Sequence, residues 1–139
     1  MSHQQERFDN WQTPEIEHGK LTKYNWVVYR PDGLKLGKWT DIGAFTAIFA
    51  HHGVEIGDEV QIGGGSIIYS ISTISVDGKD VTGKVTIGKG SQIGAQSTIM
   101  PGVTIGEGVI VGAHSLVIKN IPDNELWFGV PARFVRKLR

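Results

Sequence analysis

Five histidines and no cysteine bound the chemistry this 139-residue chain can attempt. Two of the histidines, His51 and His52, are adjacent in the stretch IFAHHGVEIG. Imidazole ordinarily titrates near neutrality, so one of the pair could serve as a general base toward an amine or a hydroxyl. Two solvated loop histidines, or a polar contact at a subunit interface, would use the same residues without chemistry. A third histidine, His114, lies in VGAHSLV, whereas His3 and His18 fall in a polar leader and read as solvated. The lack of cysteine leaves no disulfide frame, no thiolate metal site and no cysteine nucleophile.

The histidine pair interrupts a count. Branched aliphatics recur at Leu36, Ile42, Ile48, Ile56, Ile62, Ile68, Ile74, Ile87, Ile93, Ile99, Ile105, Val111 and Val117. Every step is six residues, except eight from Ile48 to Ile56 and thirteen from Ile74 to Ile87. Glycine usually follows the aliphatic, as at Gly37, Gly63, Gly94 and Gly112. Four places after it stands a small or β-branched residue, such as Thr46, Ser66, Ser97 or Ser115. Six is neither the helical period nor simple strand alternation. A fixed short period marks a solenoid, and a hexapeptide period marks a parallel β-helix. A sandwich of short strands would show alternation and spacings of roughly 8–12 residues, which are missing. The expected fold is therefore all-β, with the aliphatics inside a prism and the small residues at its corners.

Composition sets the outer limits. Fourteen basic residues balance fourteen acidic ones. That removes the electrostatic case for nucleic acid or an anionic membrane as partner. No apolar run is long enough to span a bilayer, and the N-terminus carries no charged-then-apolar signal, so a cytoplasmic protein is expected. The domain boundaries read as a leader or cap over residues 1–33, a β-helix over 34–122 with a loop excursion at 75–86, and a tail over 123–139.

The hexads and the ending IPDNELWFGVPARFVRKLR resemble the hexapeptide-repeat acyltransferases, in particular small sugar O- and N-acetyltransferases. The resemblance covers roughly residues 36–139. It implies a left-handed β-helix with three hexads per coil and a C-terminal tail carrying a short helix. Three hexads per coil would put the units starting at Ile48, Ile68, Ile93 and Val111 on one face. Their fourth residues, His51, Ile71, Gln96 and His114, would then form one column, with the HHG bulge at its low end.

The resemblance further implies transfer of an acetyl group from acetyl-CoA to an amine or hydroxyl of a sugar. The acceptor would be a nucleotide-linked amino sugar of surface polysaccharide synthesis. His51 or His52 is the candidate base, and no metal is expected. Ala95 and Ala113 match positions whose backbone meets the pantetheine arm, and His114 would lie beside the cofactor. Lys119, Arg133 and Arg136 match basic residues near the CoA phosphates, which suit ammonium and guanidinium groups. In galactoside-type relatives the catalytic histidine sits in an excursion near 75–86, and here YSISTISVDGKDVTG contains none. Asp77, Lys79 and Asp80 read as a solvated hairpin tip. The family is a homotrimer with sites between subunits, and Ala44, Phe45, Phe49 and Met100 are the apolar residues expected on its exposed faces. Two other readings stay open: a β-helix scaffold that binds without catalysing, and a γ-type carbonic anhydrase with zinc held by three histidines across a subunit boundary.

Overall fold

The computed structural model describes residues 2–139, and it is a left-handed parallel β-helix of about five turns. Three walls of short strands close a prism. Wall A stacks Val27–Tyr29, Ala47–Phe49, Ile67–Tyr69, Thr98–Ile99 and Leu116–Val117. Wall B stacks Leu34–Leu36, Val54–Ile56, Val85–Ile87 and Thr104–Ile105. Wall C stacks Asp41–Ile42, Gln61–Ile62, Gln92–Ile93, Ile110–Val111 and Glu125–Gly129, and Ala132–Lys137 closes it as an antiparallel hairpin partner. All other neighbours within the walls are parallel and in register, so that Ile48, Ile68, Ile99 and Val117 stack in one inner column.

The interior is filled by the counted aliphatics. From Ile48 through Val117 those on the walls are at most 3% exposed, so the prism encloses no water-filled channel. Small hydroxyl residues turn the corners because their oxygens satisfy backbone groups there. Ser66 Oγ donates to Gly63 O at 2.8 Å and Ser115 Oγ to Gly112 O at 2.6 Å. Ser97 N–H donates to Ser66 Oγ, and Ser115 N–H to Ser97 Oγ, each at 3.3 Å. These buried serines form a ladder along the corner between walls C and A, which leaves no orphan donor in the turn. The third residue after each counted aliphatic of walls B and C adopts positive φ, even where it is Phe45, Gln96 or His114. The corner geometry imposes a left-handed backbone that glycine would take without strain.

Residues before the count cap the low end. Trp26 and Val28 are buried in the core, and Val27–Tyr29 already belongs to wall A, so the first turn begins before residue 34. Helix His3–Arg7 starts with a capping box between Ser2 and Gln5. It is tied to the lower coils by Gln4 Nε2 donating to Trp39 O at 3.1 Å and by the Arg7–Asp41 ion pair at 3.2 Å. Trp11 Nε1 donates to Thr40 O at 3.0 Å.

Three sequence expectations are corrected. First, the tail forms no helix. Glu125–Gly129 pairs in parallel with Ile110–Val111 and then antiparallel with Ala132–Lys137. A strand hydrogen-bonds the last exposed edge of wall C, whereas a helix would leave that edge unpaired. Second, Ile74 is not a wall residue, being 86% exposed. The excursion starts earlier than expected, as the antiparallel pair Ile71–Ser72 with Val81–Thr82, and Val85–Ile87 is already back in wall B. Third, removing Ile74 from the count moves every later unit one wall on. Ile93 and Val111 lie in wall C, and Ile48 and Ile68 are followed in wall A by Ile99 and Val117.

With the register corrected, every irregular step falls at one edge. Steps from wall B to C and from C to A keep the count of six, whereas A-to-B steps vary from Val28 to Leu36, Ile48 to Ile56 and Ile68 to Ile87.

Candidate active site

The A/B edge carries the histidine pair. Strand Ala47–Phe49 runs out into the turn at His51 and His52 before Val54–Ile56 begins wall B. Ser70, one coil higher, pins the bulge: its Oγ accepts from His52 N–H at 2.9 Å and donates to Phe49 O at 2.6 Å. Both histidine side chains are exposed. The His51 ring lies nearly parallel to Phe49 at 6.3 Å, extending a stack in which Phe49 lies 4.7 Å from Tyr29 and 5.0 Å from Tyr69. A cleft of about 520 Å³ opens here between Phe49 and Tyr69 of that stack, His51, Met100 and the base of the excursion at Ile71–Ile74. Ser72 and Thr73 add hydroxyls to a mostly apolar lining. His51 lines the cleft, and His52 does not. This open cleft can hold a small molecule against an imidazole, which is the arrangement a general base needs.

The C/A edge carries a different feature. A groove of about 460 Å³ runs along wall C to this corner, past Gln61, Gln92, Ile110 and the glycines Gly63, Gly94 and Gly112 to Ala113. The glycines are required by crowding. A Cβ on Gly63 would sit 2.4 Å from Ala95 N, and one on Gly94 2.3 Å from Ala113 N. Ala95 and Ala113 are exposed on successive turns, bonded through His114 N–H to Ala95 O at 2.9 Å. Phe128 lies above Gly112, and Arg133 pairs with Phe128 across the hairpin.

The sequence-selected residues therefore separate into two groups. Ala95, Ala113, His114 and Arg133 share the C/A edge, and Arg136 lies on the outer row of wall C opposite Leu126. Lys119 follows Val117 at the A/B edge, on the histidine side. His51 and His114 do not form one column, because the register correction sets them on opposite edges of wall A. The wall between them is about 10 Å wide for a three-residue strand at roughly 3.3 Å per residue. Among the described residues no group of three or more His, Cys, Asp or Glu could hold a metal ion, so the zinc reading finds no ligand set within one chain.

Two repeat descriptions match the coils. Residues 84–119 match the family described as bacterial transferase hexapeptide (six repeats), and residues 36–70 match the hexapeptide repeat of succinyl-transferase. Together they cover just over half of the chain. The chain belongs to the hexapeptide-repeat family. This hexapeptide-repeat protein is similar to an acetyltransferase of Vibrio cholerae O1 biovar eltor, complexed with acetyl coenzyme A. They are 27% identical with a TM-score of 0.77, over 82% of this chain and 65% of that one. A maltose O-acetyltransferase from Clostridium difficile 630 is 29% identical with a TM-score of 0.76, over 83% of this chain and 64% of that one. AntD, an N-acyltransferase from Bacillus cereus in complex with dTDP and 3-hydroxybutyryl-CoA, is 29% identical with a TM-score of 0.73, over 86% of this chain and 79% of that one. The chain thus spans slightly less than two thirds of the length of the first two.

Sequence reasoning missed the aromatic stack whose Phe49 and Tyr69 wall the cleft. Tyr29, Phe49 and Tyr69 are spaced twenty residues apart, one per turn, and that regularity was a signal available in the hexapeptide-repeat sequence itself. Ser72 and Thr73 offered no such signal, since they reach the cleft only through the unforeseen antiparallel pairing of the excursion.

Proposed function

We propose that this chain is an acetyl-CoA-dependent acetyltransferase whose acceptor is an amine or hydroxyl of a sugar, in particular a nucleotide-linked amino sugar used in surface polysaccharide synthesis. The observation that carries the reading is the likeness, along 82% of the chain, to an acetyltransferase that holds acetyl coenzyme A. The acceptor class is supported by AntD, in complex with dTDP and, as a point mutant, with dTDP-4-amino-4,6-dideoxyglucose, and by the maltose O-acetyltransferase. In this reading the donor's pantetheine arm runs past Ala95 and Ala113 in the C/A groove. Arg133 and Arg136 supply charge-assisted hydrogen bonds to its phosphates. The acceptor occupies the cleft at the A/B edge, where His51 takes the proton from the attacking nitrogen or oxygen. The new C–N or C–O bond forms at the thioester carbonyl, and the thiolate of CoA leaves and is protonated.

Donor groove and base cleft are separated by the width of wall A, so one copy does not bring them face to face. A second copy that packs its C/A edge against this A/B edge completes the site, and a closed homotrimer repeats that contact three times. The apolar outer surface of wall A, with Phe49, Ile67, Met100 and Leu116, is suited to that packing.

The test is turnover of acetyl-CoA with a panel of amino and neutral sugars, free and nucleotide-linked. Free CoA should appear only with an accepted sugar. Replacement of His51 by Ala should lower turnover by about 10²–10⁴-fold, the usual contribution of a general base, while CoA affinity survives. His52→Ala should cost far less. A His51→Ala/His52→Ala protein with near-normal turnover would remove the base assignment. If CoA is bound but no sugar is acetylated, the chain is a binding scaffold.

A further inference from the structure

One corner hydroxyl stands apart from the rest. Thr46, Ser66, Ser97 and Ser115 are buried along the C/A edge, and Thr40 and Ser91 along the B/C edge. At the A/B edge the residues that follow the wall A strands in register are Arg30, Ala50, Ser70, Pro101 and Lys119, so only Ser70 brings a hydroxyl there. The coil does not require it. Ala50, one turn lower, is equally buried and makes the same backbone bond, its N–H donating to Tyr29 O at 3.0 Å as Ser70 N–H does to Phe49 O at 2.9 Å.

The hydroxyl bonds instead to the histidine turn. Gly53 N–H donates to Ala50 O at 3.1 Å, which closes a turn with His51 and His52 as its central residues. The N–H that Ser70 Oγ accepts at 2.9 Å belongs to the peptide joining the two histidines, so holding it sets the ψ of His51. The same hydroxyl donates to Phe49 O at 2.6 Å and thereby grips the residue whose ring lies beside the His51 imidazole. Ser70 O accepts from Gly83 N–H at 3.0 Å, where the excursion returns, and Ile71 of the cleft follows it directly. One buried residue therefore joins the imidazole's turn to the loop that borders the cleft.

We propose that Ser70 is a positioning residue, whose hydroxyl locks the Ala50–Gly53 turn so that the His51 imidazole faces the acceptor cleft. The assignment rests on the base reading of His51 and adds the group that aims it. The two commonest turn types differ chiefly in the orientation of their central peptide, and an exposed turn without the hydroxyl is free to exchange them. A reacting group displaced by about 1 Å can lose about 10²-fold in rate. A base on a surface turn thus needs a fixed partner beneath it.

The test is a double-mutant cycle between Ser70 and His51, read by single-turnover acetyl transfer from acetyl-CoA to dTDP-4-amino-4,6-dideoxyglucose. Ser70→Ala should fold, since alanine already fills the equivalent buried place at Ala50. It should lower the rate by about tenfold or more, with the sugar's KM within about twofold of the parent, because the bond to Gly83 is made by backbone and survives. In the His51→Ala background the same change should cost less than about twofold, and in the His52→Ala background the full loss should return. A nuclear Overhauser contact between the His51 and Phe49 rings, present in the parent and in His52→Ala, should vanish in Ser70→Ala. Ser70→Ala at the parent's rate, a loss that simply adds to that of His51→Ala, or a persisting ring contact overturns the positioning role while the base reading stands. If His51→Ala itself keeps the parent's rate, the base reading fails and the positioning role fails with it. If the parent leaves this sugar unacetylated, the ring contact decides alone, and its survival in Ser70→Ala overturns the role.

Discussion

Walls A and B share one interior and differ outside. Inward, both present stacked isoleucines: Ile48, Ile68 and Ile99 on one, Ile56, Ile87 and Ile105 on the other, none more than 2% exposed. Outward, wall A carries Tyr29, Phe49, Tyr69 and Met100 beside Ile67 and Leu116. Wall B carries Lys35, Glu55, Thr86 and Thr104, with Lys84 paired to Glu55 at 2.7 Å. Strand geometry accounts for the inner faces, because alternate residues must fill the prism. It leaves the outer faces undetermined, and their difference follows from what each one meets. Wall B meets water; wall A is apolar enough to meet protein or substrate.

The comparison can be broken first from the inside. Ile99→Ala in wall A and Ile87→Ala in wall B should each destabilise the chain by about 2–5 kcal/mol in urea unfolding, because each leaves a cavity in a close-packed column. Equal losses fit equivalent inner faces, whereas a loss confined to one wall would contradict a shared core. Outer substitutions sharpen the contrast. Ile67→Lys places a charge in the proposed contact between copies and should raise the dissociation constant of the assembly by about tenfold or more, read by sedimentation. Thr86→Lys, at the matching outer position of wall B beside Glu55, should leave the assembly unchanged.

The smallest effect belongs to the pair on wall B. The Lys84 hydrogen bond and charge hold the Glu55 carboxyl below its usual range, helped by Lys35. What stability it adds is present above the ordinary carboxylate range and is lost as pH falls through the lowered value. Both partners face solvent, so Lys84→Ala should shift the melting temperature by about 1 °C or less. A shift several times larger would mean that wall B is covered, and the contrast between the walls would fail.

The sequence showed the inner faces almost completely, because an aliphatic every sixth residue has no other use. Thr46, Ser66, Ser97 and Ser115 were legible as corner residues for the same reason, and all are buried. Ile74 misled the count: it satisfies the pattern by type and spacing, yet the chain has already left the wall at Ile71. That one residue displaced the register of everything after it and set His114 over His51. The tail misled differently, since a free strand edge on wall C is a property of the assembled coils and not of residues 123–139 alone. Within the site, His51 and His52 stood out by breaking the count, but their unequal access to the cleft depends on Ser70 and Phe49 one turn apart.

The confinement of every irregular step to the A/B edge has a consequence for engineering. Each coil finds its place by bonding to the coil beneath it, as Val85 does to Val54, and not by the length of chain that delivered it. The cost of closing a longer connection grows only slowly with its length. The segment between Ser72 and Val81 is thus a splice point, where a foreign peptide of another length can be grafted while the prism re-forms at Val85. The six-residue connections at the other two edges offer no such socket, because a single added residue there would turn an aliphatic out of the core.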